Sequence, residues 1–505
     1  MNIARNLERS ALFSPDRPAI SEGATVTSYA QLNDRANRIA TALLKLGIQP
    51  GDKVGLCAPN SEAWVAFYFG TLKAGAVAVT LSSTLTRDEF SMMVKATTPK
   101  ALFVPGKRWD EVHSLMESEI PKMILGGGAG LNMDRLTEMG SSSFRTVERD
   151  RADTAAILFT GGTTGGPKGV MLTHENILSA LQCVVFNERS TEKDRALCFL
   201  PFNHVFGQMH IMNATILSGG CIELIPSFDM EKVLHILSSG RVTKLFAVPT
   251  IYIRLLGLES LREKLGSVRY CFSAAASMAA ETVRQWRERT GLQIHEAYGM
   301  TESASMVTYN HCHRHVVGSV GTVTGTTEIM IRDLEGNIRE VREEGEICIR
   351  GRNIMKGYHN KPQETQASFR GEWFRSGDIG TMDEDGYLYI VDRLKDMIIT
   401  GGENVYPREI EEILFQRPEV QECAVIGLPD REWGERVTAV IIPKPGQVLD
   451  AAEIKAYLKG RLSAFKVPKE YLMVKELPKS PTGKILKREL RKSVSLPLLK
   501  PGKDK

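Results

Sequence analysis

Apolar residues recur at helical spacing from Tyr29 to Leu46, and Gly47 stands just past that run, which predicts an amphipathic helix closed by a glycine. Residues 52–57 then read as a strand, 62–74 as a helix, 76–80 as a strand and 101–104 as another. The alternation continues through residues 155–159, 247–250 and 268–273, and such alternation predicts α/β layers. Residues 63–81 are the nearest thing to a membrane span. Lys73 and Gly75 interrupt them, so a buried helix ending near Gly75 is expected, then a strand over 76–79. Beyond Gly325 the texture turns to short strands with hairpin-type turns at Glu335-Gly336-Asn337 and Asp385-Gly386. A strand pattern over 387–391 is broken by the charges of Asp392-Arg393-Leu394-Lys395-Asp396, and a domain boundary is placed there, giving residues 1–394 and 395–505.

Composition narrows the classes. The chain has 505 residues, 42% apolar and 25% charged, with a net charge of only +4, which argues against a nucleic-acid partner. Thirteen Lys or Arg against four Asp or Glu lie in residues 461–505, a basic surface that can face phosphates or simply be solvated. Eight scattered cysteines without a Cys-x-x-Cys pair predict reduced thiols and a cytoplasmic setting, and the N-terminus shows no apolar signal segment. No integral membrane segment is expected. The oligomeric state is left open, a homodimer included. His311-Cys312-His313-Arg314-His315 has no common zinc spacing, and its arginine opposes a cation.

The strongest chemical signal is Thr160-Gly161-Gly162-Thr163-Thr164-Gly165-Gly166-Pro167-Lys168-Gly169, directly after the apolar strand 155–159. Glycines let backbone N–H groups curl around an anion, threonines add hydroxyl donors, and the lysine adds a mobile positive charge. The common P-loop is excluded, because from Gly161 the register reaches Gly166 and then finds Pro167 where that motif needs lysine.

In residue order this loop resembles the phosphate loop of the adenylate-forming superfamily, which includes acyl-CoA synthetases, luciferases and peptide-synthetase adenylation domains. Tyr298-Gly299-Met300-Thr301-Glu302, Phe374-Arg375-Ser376-Gly377-Asp378, Asp392–Asp396 and Pro481-Thr482-Gly483-Lys484 resemble its later motifs, in its order and over nearly the whole chain. The resemblance implies a large N-terminal domain of layered α/β subdomains with a β-rich subdomain, and a small mobile C-terminal α/β domain. It implies ATP, Mg2+ and CoA as the reaction partners of a carboxylic acid. The acid attacks the α-phosphate to give acyl-AMP and pyrophosphate, and a thiol then displaces AMP.

By resemblance, Thr160, Gly161, Gly162, Thr163, Thr164, Gly165 and Lys168 hold the outer phosphates. Ala275, in the small-residue segment 273–277, lies along the adenine and acyl group, and Glu296, Ala297 and Gly299 extend the nucleotide site. Tyr298 packs on adenine, Thr301 stands near the α-phosphate, and Glu302 is the Mg2+ ligand, a hard oxygen donor beside phosphate. Asp378 accepts from the ribose hydroxyls, with Arg393 as a second ribose contact. Lys395 occupies the hinge. Lys484 is the catalytic lysine bridging carboxylate and α-phosphate, and Gly401-Gly402-Glu403-Asn404 replaces it after the domain swings.

Pro201-Phe202-Asn203-His204-Val205-Phe206-Gly207 resembles the substrate-side motif, with His204 as the aromatic gate, and reads most like the fatty-acyl members. Amino-acid-activating members carry an Asp in this segment, and none of residues 201–222 is acidic. Malonate-type members carry Arg where this chain has Ala297. An uncharged monocarboxylate is therefore expected, fatty or aromatic. An acyl-ACP ligase, an aromatic-acid CoA ligase and a luciferase-like monooxygenase share the motifs and stay open.

Overall fold

The computed structural model describes residues 1–104, 124–125, 132–160, 167–325, 327–333, 335–480 and 483–495. Two seven-stranded sheets dominate its first two thirds. One runs in the order Ile294–Glu296, Tyr270–Ser273, Lys244–Ala247, Arg195–Cys198, Cys221–Leu224, Pro18–Glu22 and Thr25–Ser28, parallel except for the last pair. The other runs Gly357–Tyr358, Lys168–Thr173, Thr154–Thr160, Val77–Leu81, Lys53–Cys57, Ala101–Phe103 and Ile124–Leu125. A five-stranded antiparallel sheet follows, built from Glu328–Arg332, Gly345–Arg350, Phe369–Arg370, Trp373–Met382 and Leu388–Arg393. The chain ends in a separate five-stranded sheet with helices Pro407–Leu414, Ala451–Lys459 and Lys487–Ser495. This is the expected mixed α/β architecture.

The predicted helix forms over Tyr29–Lys45, opened by a capping box between Ser28 and Gln31. The most apolar stretch resolves into helix Glu62–Lys73, of whose twelve residues only Ala63 is not buried, and the strand Val77–Leu81. A helix buried all round carries no polar face; here it supplies Trp64, Phe67, Tyr68 and Phe69 to the core joining the two large sheets. Its one cation, Lys73, is fully buried and donates to Glu8 Oε1 at 2.6 Å. No helix among the described residues is long and apolar enough to cross a membrane.

Within residues 247–250 the strand Lys244–Ala247 ends and the helix Pro249–Leu256 begins, opened by Pro249, whose missing N–H costs nothing there. One detail differs from the sequence expectation. The charges at 392–396 do not end the preceding strand at Val391. It runs to Arg393, since cross-strand pairing of Asp378 with Arg393 matches opposite charges. In the last sheet, residues of Val420–Asp430 alternate between two apolar clusters, Cys423 and Val425 facing one and Ala424 and Ile426 the other.

Candidate active site

The strand Thr154–Thr160 and its antiparallel partner Lys168–Thr173 are the two sides of a hairpin, with Thr160 opposite Lys168. Gly161, Gly162, Thr163, Thr164 and Gly165 lie outside the described residues, as do Pro481 and Thr482. Lys168 is described. Its ammonium sits 4.8 Å from the centroid of the Tyr358 ring.

Tyr298 to Ser305 form a compact turn at the end of strand Ile294–Glu296. Gly299 pairs with Met306, and a side chain at Gly299 would meet the Ser305 carbonyl oxygen at 2.0 Å, so only glycine allows this approach. Thr301–Ser303 is a single 3-10 turn, closed by Ser303, whose hydroxyl donates to the Ser305 carbonyl at 2.7 Å. The turn buries Thr301 and leaves Glu302 half-buried. Glu302 Oε1 accepts from the Tyr358 hydroxyl at 3.0 Å, and no cation pairs with Glu302 among the described residues. Burial pushes its carboxyl above the ordinary value, the Asp378 charge adds to this, and Arg393 and the Tyr358 hydroxyl oppose it. A half-buried carboxylate with no protein counter-charge suits a hard divalent cation.

The buried Tyr298 hydroxyl donates to Asp378 Oδ2 at 2.7 Å, while Arg393 Nε approaches Oδ1 at 3.2 Å. Two residues, Tyr298 and Arg393, thus fix the one carboxylate from opposite sides of it in sequence. Ala275 has φ of +71°, in the left-handed region that costs an alanine about 1–2 kcal/mol. Glu296 and Ala297 are buried. Burial pushes the Glu296 carboxyl up to about 8, opposed by the Arg408 charge and reinforced by Glu412. Both come from helix Pro407–Leu414, and Glu412 accepts from the Ala280 N–H at 3.2 Å across the two parts of the chain.

His204 follows strand Arg195–Cys198. Its Nδ1 accepts from the Phe206 N–H at 3.2 Å, which places the proton of the neutral ring on Nε2. Burial and then the nearby Lys484 charge push it down to about 4, so it is neutral at pH 7. Phe206, whose N–H makes that bond, packs against Phe246 and Phe272, and His210 stacks on Phe272 at 4.4 Å.

Lys484 sits on a tight turn: the Ser480 N–H donates to the Lys484 carbonyl and the Gly483 N–H to the Ser480 carbonyl, both at 2.8 Å. Thr250 Oγ1 meets the Gly483 carbonyl at 3.4 Å, docking the turn on the large part of the chain. The ammonium is half-buried within the fields of Arg393, Asp378, Lys395, Asp396 and His204, with no carboxylate paired to it among the described residues. Desolvation, then the Arg393 charge, pushes it down to about 7. Lys395 is exposed in the turn between Arg393 and strand Ile398–Thr400. The Gly401–Asn404 hairpin tip is exposed.

The structure therefore gathers His204, Tyr298, Thr301, Glu302, Asp378, Arg393 and Lys484 around one cleft. Tyr358, Arg408 and Glu412 join them without having been expected, because their roles depend on partners 56 to 190 residues away and leave no local motif. In the His311–His315 cluster, His311 Nε2 goes to Thr322 Oγ1 at 2.7 Å and His315 Nε2 to the Ile294 carbonyl at 2.9 Å.

Relatives bear on this arrangement. The AMP-binding enzyme model matches residues 7–359, and the AMP-binding enzyme C-terminal domain model matches residues 409–484. A feruloyl-CoA synthase of an Amycolatopsis species is 35% identical over 96% of this chain and 97% of its own. A long-chain-fatty-acid–CoA ligase of Mycobacterium tuberculosis is 35% identical over 98% and 99%. The crystal structure of ATP-bound MatB from Rhodopseudomonas palustris superposes with a TM-score of 0.91 at 35% identity, covering 98% of this chain and 99% of that one. With matches to both of its domain models and to whole-length relatives, the chain belongs to the AMP-binding enzyme family, and within it to the AMP-forming acid–thiol ligases.

Proposed function

We propose that this ligase joins an uncharged monocarboxylic acid to CoA through an enzyme-bound acyl-AMP, in a cytoplasmic setting. The observation that carries the reading is the Lys484 ammonium, delivered by the C-terminal part of the chain close to Asp378, Arg393 and His204, with no carboxylate paired to it among the described residues. A charge so placed can be matched by the substrates. Two anions must meet, and a desolvated ammonium between them offsets their repulsion far more than an exposed one would.

In the first step an acid oxygen forms a bond to the α-phosphorus, and the bond from that phosphorus to the bridging oxygen breaks, releasing pyrophosphate. Lys484 bridges the acid and the α-phosphate. His204 donates from Nε2–H to the acid, being neutral with Nδ1 occupied. Thr301 donates to the α-phosphate, and the loop from Thr160 to Lys168 takes the outer phosphates. Tyr298 stacks on adenine beside Ala275, Glu296, Ala297 and Gly299, and Asp378 and Arg393 hold the ribose. Glu302 is the ligand for Mg2+, which would supply charge neutralisation at the phosphates. In the second step the CoA sulfur bonds to the acyl carbon and AMP leaves. Rotation about Lys395 withdraws Lys484 and brings the Gly401–Asn404 tip to the thiol path.

Two absences support an uncharged acid. No acidic side chain lies in residues 201–222 to pair an ammonium, and Ala297 offers no cation to a second carboxylate. Burying either charge unpaired costs several kcal/mol. An aromatic acid is the second reading: Phe206, whose N–H donates to His204, packs edge-on against Phe246 and Phe272, and one relative is named a feruloyl-CoA synthase.

The test separates the half-reactions. Lys484→Ala should lose acid-dependent pyrophosphate release by about a hundred- to a thousandfold, while still converting supplied acyl-AMP and CoA to thioester. Near-parental pyrophosphate release would end the proposal. The parent is assayed with dodecanoate, benzoate, ferulate, malonate and phenylalanine. Malonate or phenylalanine as the best substrate would overturn the pocket reading alone.

A further inference from the structure

Tyr358 touches two groups of opposite charge that belong to different motifs. Its hydroxyl donates to Glu302 Oε1 at 3.0 Å, and its ring lies 4.8 Å below the Lys168 ammonium. The residue is buried on the short edge strand Gly357–Tyr358, with Tyr358 opposite Val170. Neighbouring backbone bonds fix it between both motifs. The Met355 N–H donates to the Glu302 carbonyl at 2.8 Å, the Lys356 N–H to the Met171 carbonyl at 3.0 Å, and the His359 N–H to the Gly169 carbonyl at 2.7 Å. The Tyr358 N–H donates to Thr365 Oγ1 at 2.9 Å.

Among the described residues neither Lys168 nor Glu302 has an ion-pair partner, and they do not pair with each other. A direct pair would cancel the two charges that the nucleotide needs. A phenol between them avoids this. It satisfies a carboxylate through O–H and a cation through its π-face, while carrying no charge of its own.

We propose that Tyr358 is a positioning residue that holds Lys168 and Glu302 apart and aims each at the triphosphate, coupling the placement of the Lys168 ammonium to that of the metal-ligand carboxylate. The inference rests on the reading of Glu302 and Lys168 given under the proposed function. It goes beyond that reading by assigning one residue, outside every motif of the nucleotide site, to both.

Two variants separate the halves. Tyr358→Phe keeps the ring and removes the hydroxyl, and Tyr358→Leu removes both. Calorimetric titration of the full-length protein with ATP, in EDTA and then in excess Mg2+, gives binding without turnover. Tyr358→Phe should bind ATP in EDTA within about twofold of the parent but lose about ten- to a hundredfold of the affinity gained from Mg2+, the scale of one hydrogen bond to a charged group. Tyr358→Leu should also weaken binding in EDTA. Lys168→Ala should add little to that loss in the Leu background, yet act in full in the Phe background.

Glu302→Gln runs beside them. If it leaves the Mg2+ gain intact, the reading of Glu302 as metal ligand fails. If Glu302→Gln loses the gain and Tyr358→Phe keeps it, the reading stands and the inference about Tyr358 is overturned. Equal weakening of both titrations by Tyr358→Phe would also overturn it, as a merely structural effect. Should Tyr358→Leu fail to fold, the Phe variant and its Lys168→Ala double still decide the outcome, because both retain the ring.

Discussion

Filling the cleft with substrate should draw a proton from solvent, and Lys484 sets how much. Within the structure its ammonium is pushed down from 10.5 to about 7, by desolvation first and by Arg393 second. ATP and the acid bring negative charge to the same place, which favours the ammonium and offsets the shift. At pH 7.5 a group with a pKa of about 7 is about one-quarter protonated, so restoring its ordinary value takes up about 0.8 proton per site. The sign follows from linkage. Below pH 7 the lysine is charged with and without ligand, and affinity is flat. Between pH 7 and 10.5 only the filled site carries the proton, so affinity falls as pH rises, approaching tenfold per unit. Uptake is measured by titrating the protein with the acid and an ATP analogue that cannot be cleaved at the α-phosphate, in two buffers of different ionisation enthalpy. Lys484→Ala, titrated in parallel, subtracts the nucleotide's own protons. Equal uptake in parent and variant, or affinity that rises with pH, would refute the reasoning.

Three further outcomes are expected. Lys395→Pro, which fixes φ and removes an N–H, should keep adenylation and lose thioester formation; equal loss of both half-reactions would remove Lys395 from the hinge. Tyr298→Phe keeps the ring but frees Asp378 from its 2.7 Å hydrogen bond, so the parent's preference for ATP over 2′-deoxy-ATP should shrink by about tenfold in kcat/KM, and an unchanged ratio would argue against that coupling. Glu296 has a carboxyl raised from 4.5 to about 8, so its contribution to folding is full below pH 4.5 and is lost as pH rises through 8. The Tm of Glu296→Gln relative to the parent should therefore climb between pH 5 and 8.5, and a constant difference would show that Glu296 does not titrate in the folded protein.

Periodicity alone was enough for the layered α/β class, because the spacing of apolar residues states which face of each element must leave water. It placed the helix at Tyr29–Lys45 and the buried helix–strand pair over residues 62–81. The phosphate loop and the later motifs were legible for a related reason: a backbone that wraps an anion, or approaches another backbone as Gly299 does, tolerates very few residue types. Local pattern was silent where the decisive energy comes from distant partners. The extension of a strand through Asp392 and Arg393 depends on Asp378 across the ladder. The depressed ammonium of Lys484 and the raised carboxyl of Glu296 arise because two parts of the chain close on each other and strip water from both. Tyr358 is the clearest case. As a tyrosine on a two-residue strand it carries no signal, and only the packing of residues 355–359 between Glu302 and the strand after the phosphate loop gives its hydroxyl and its ring different work.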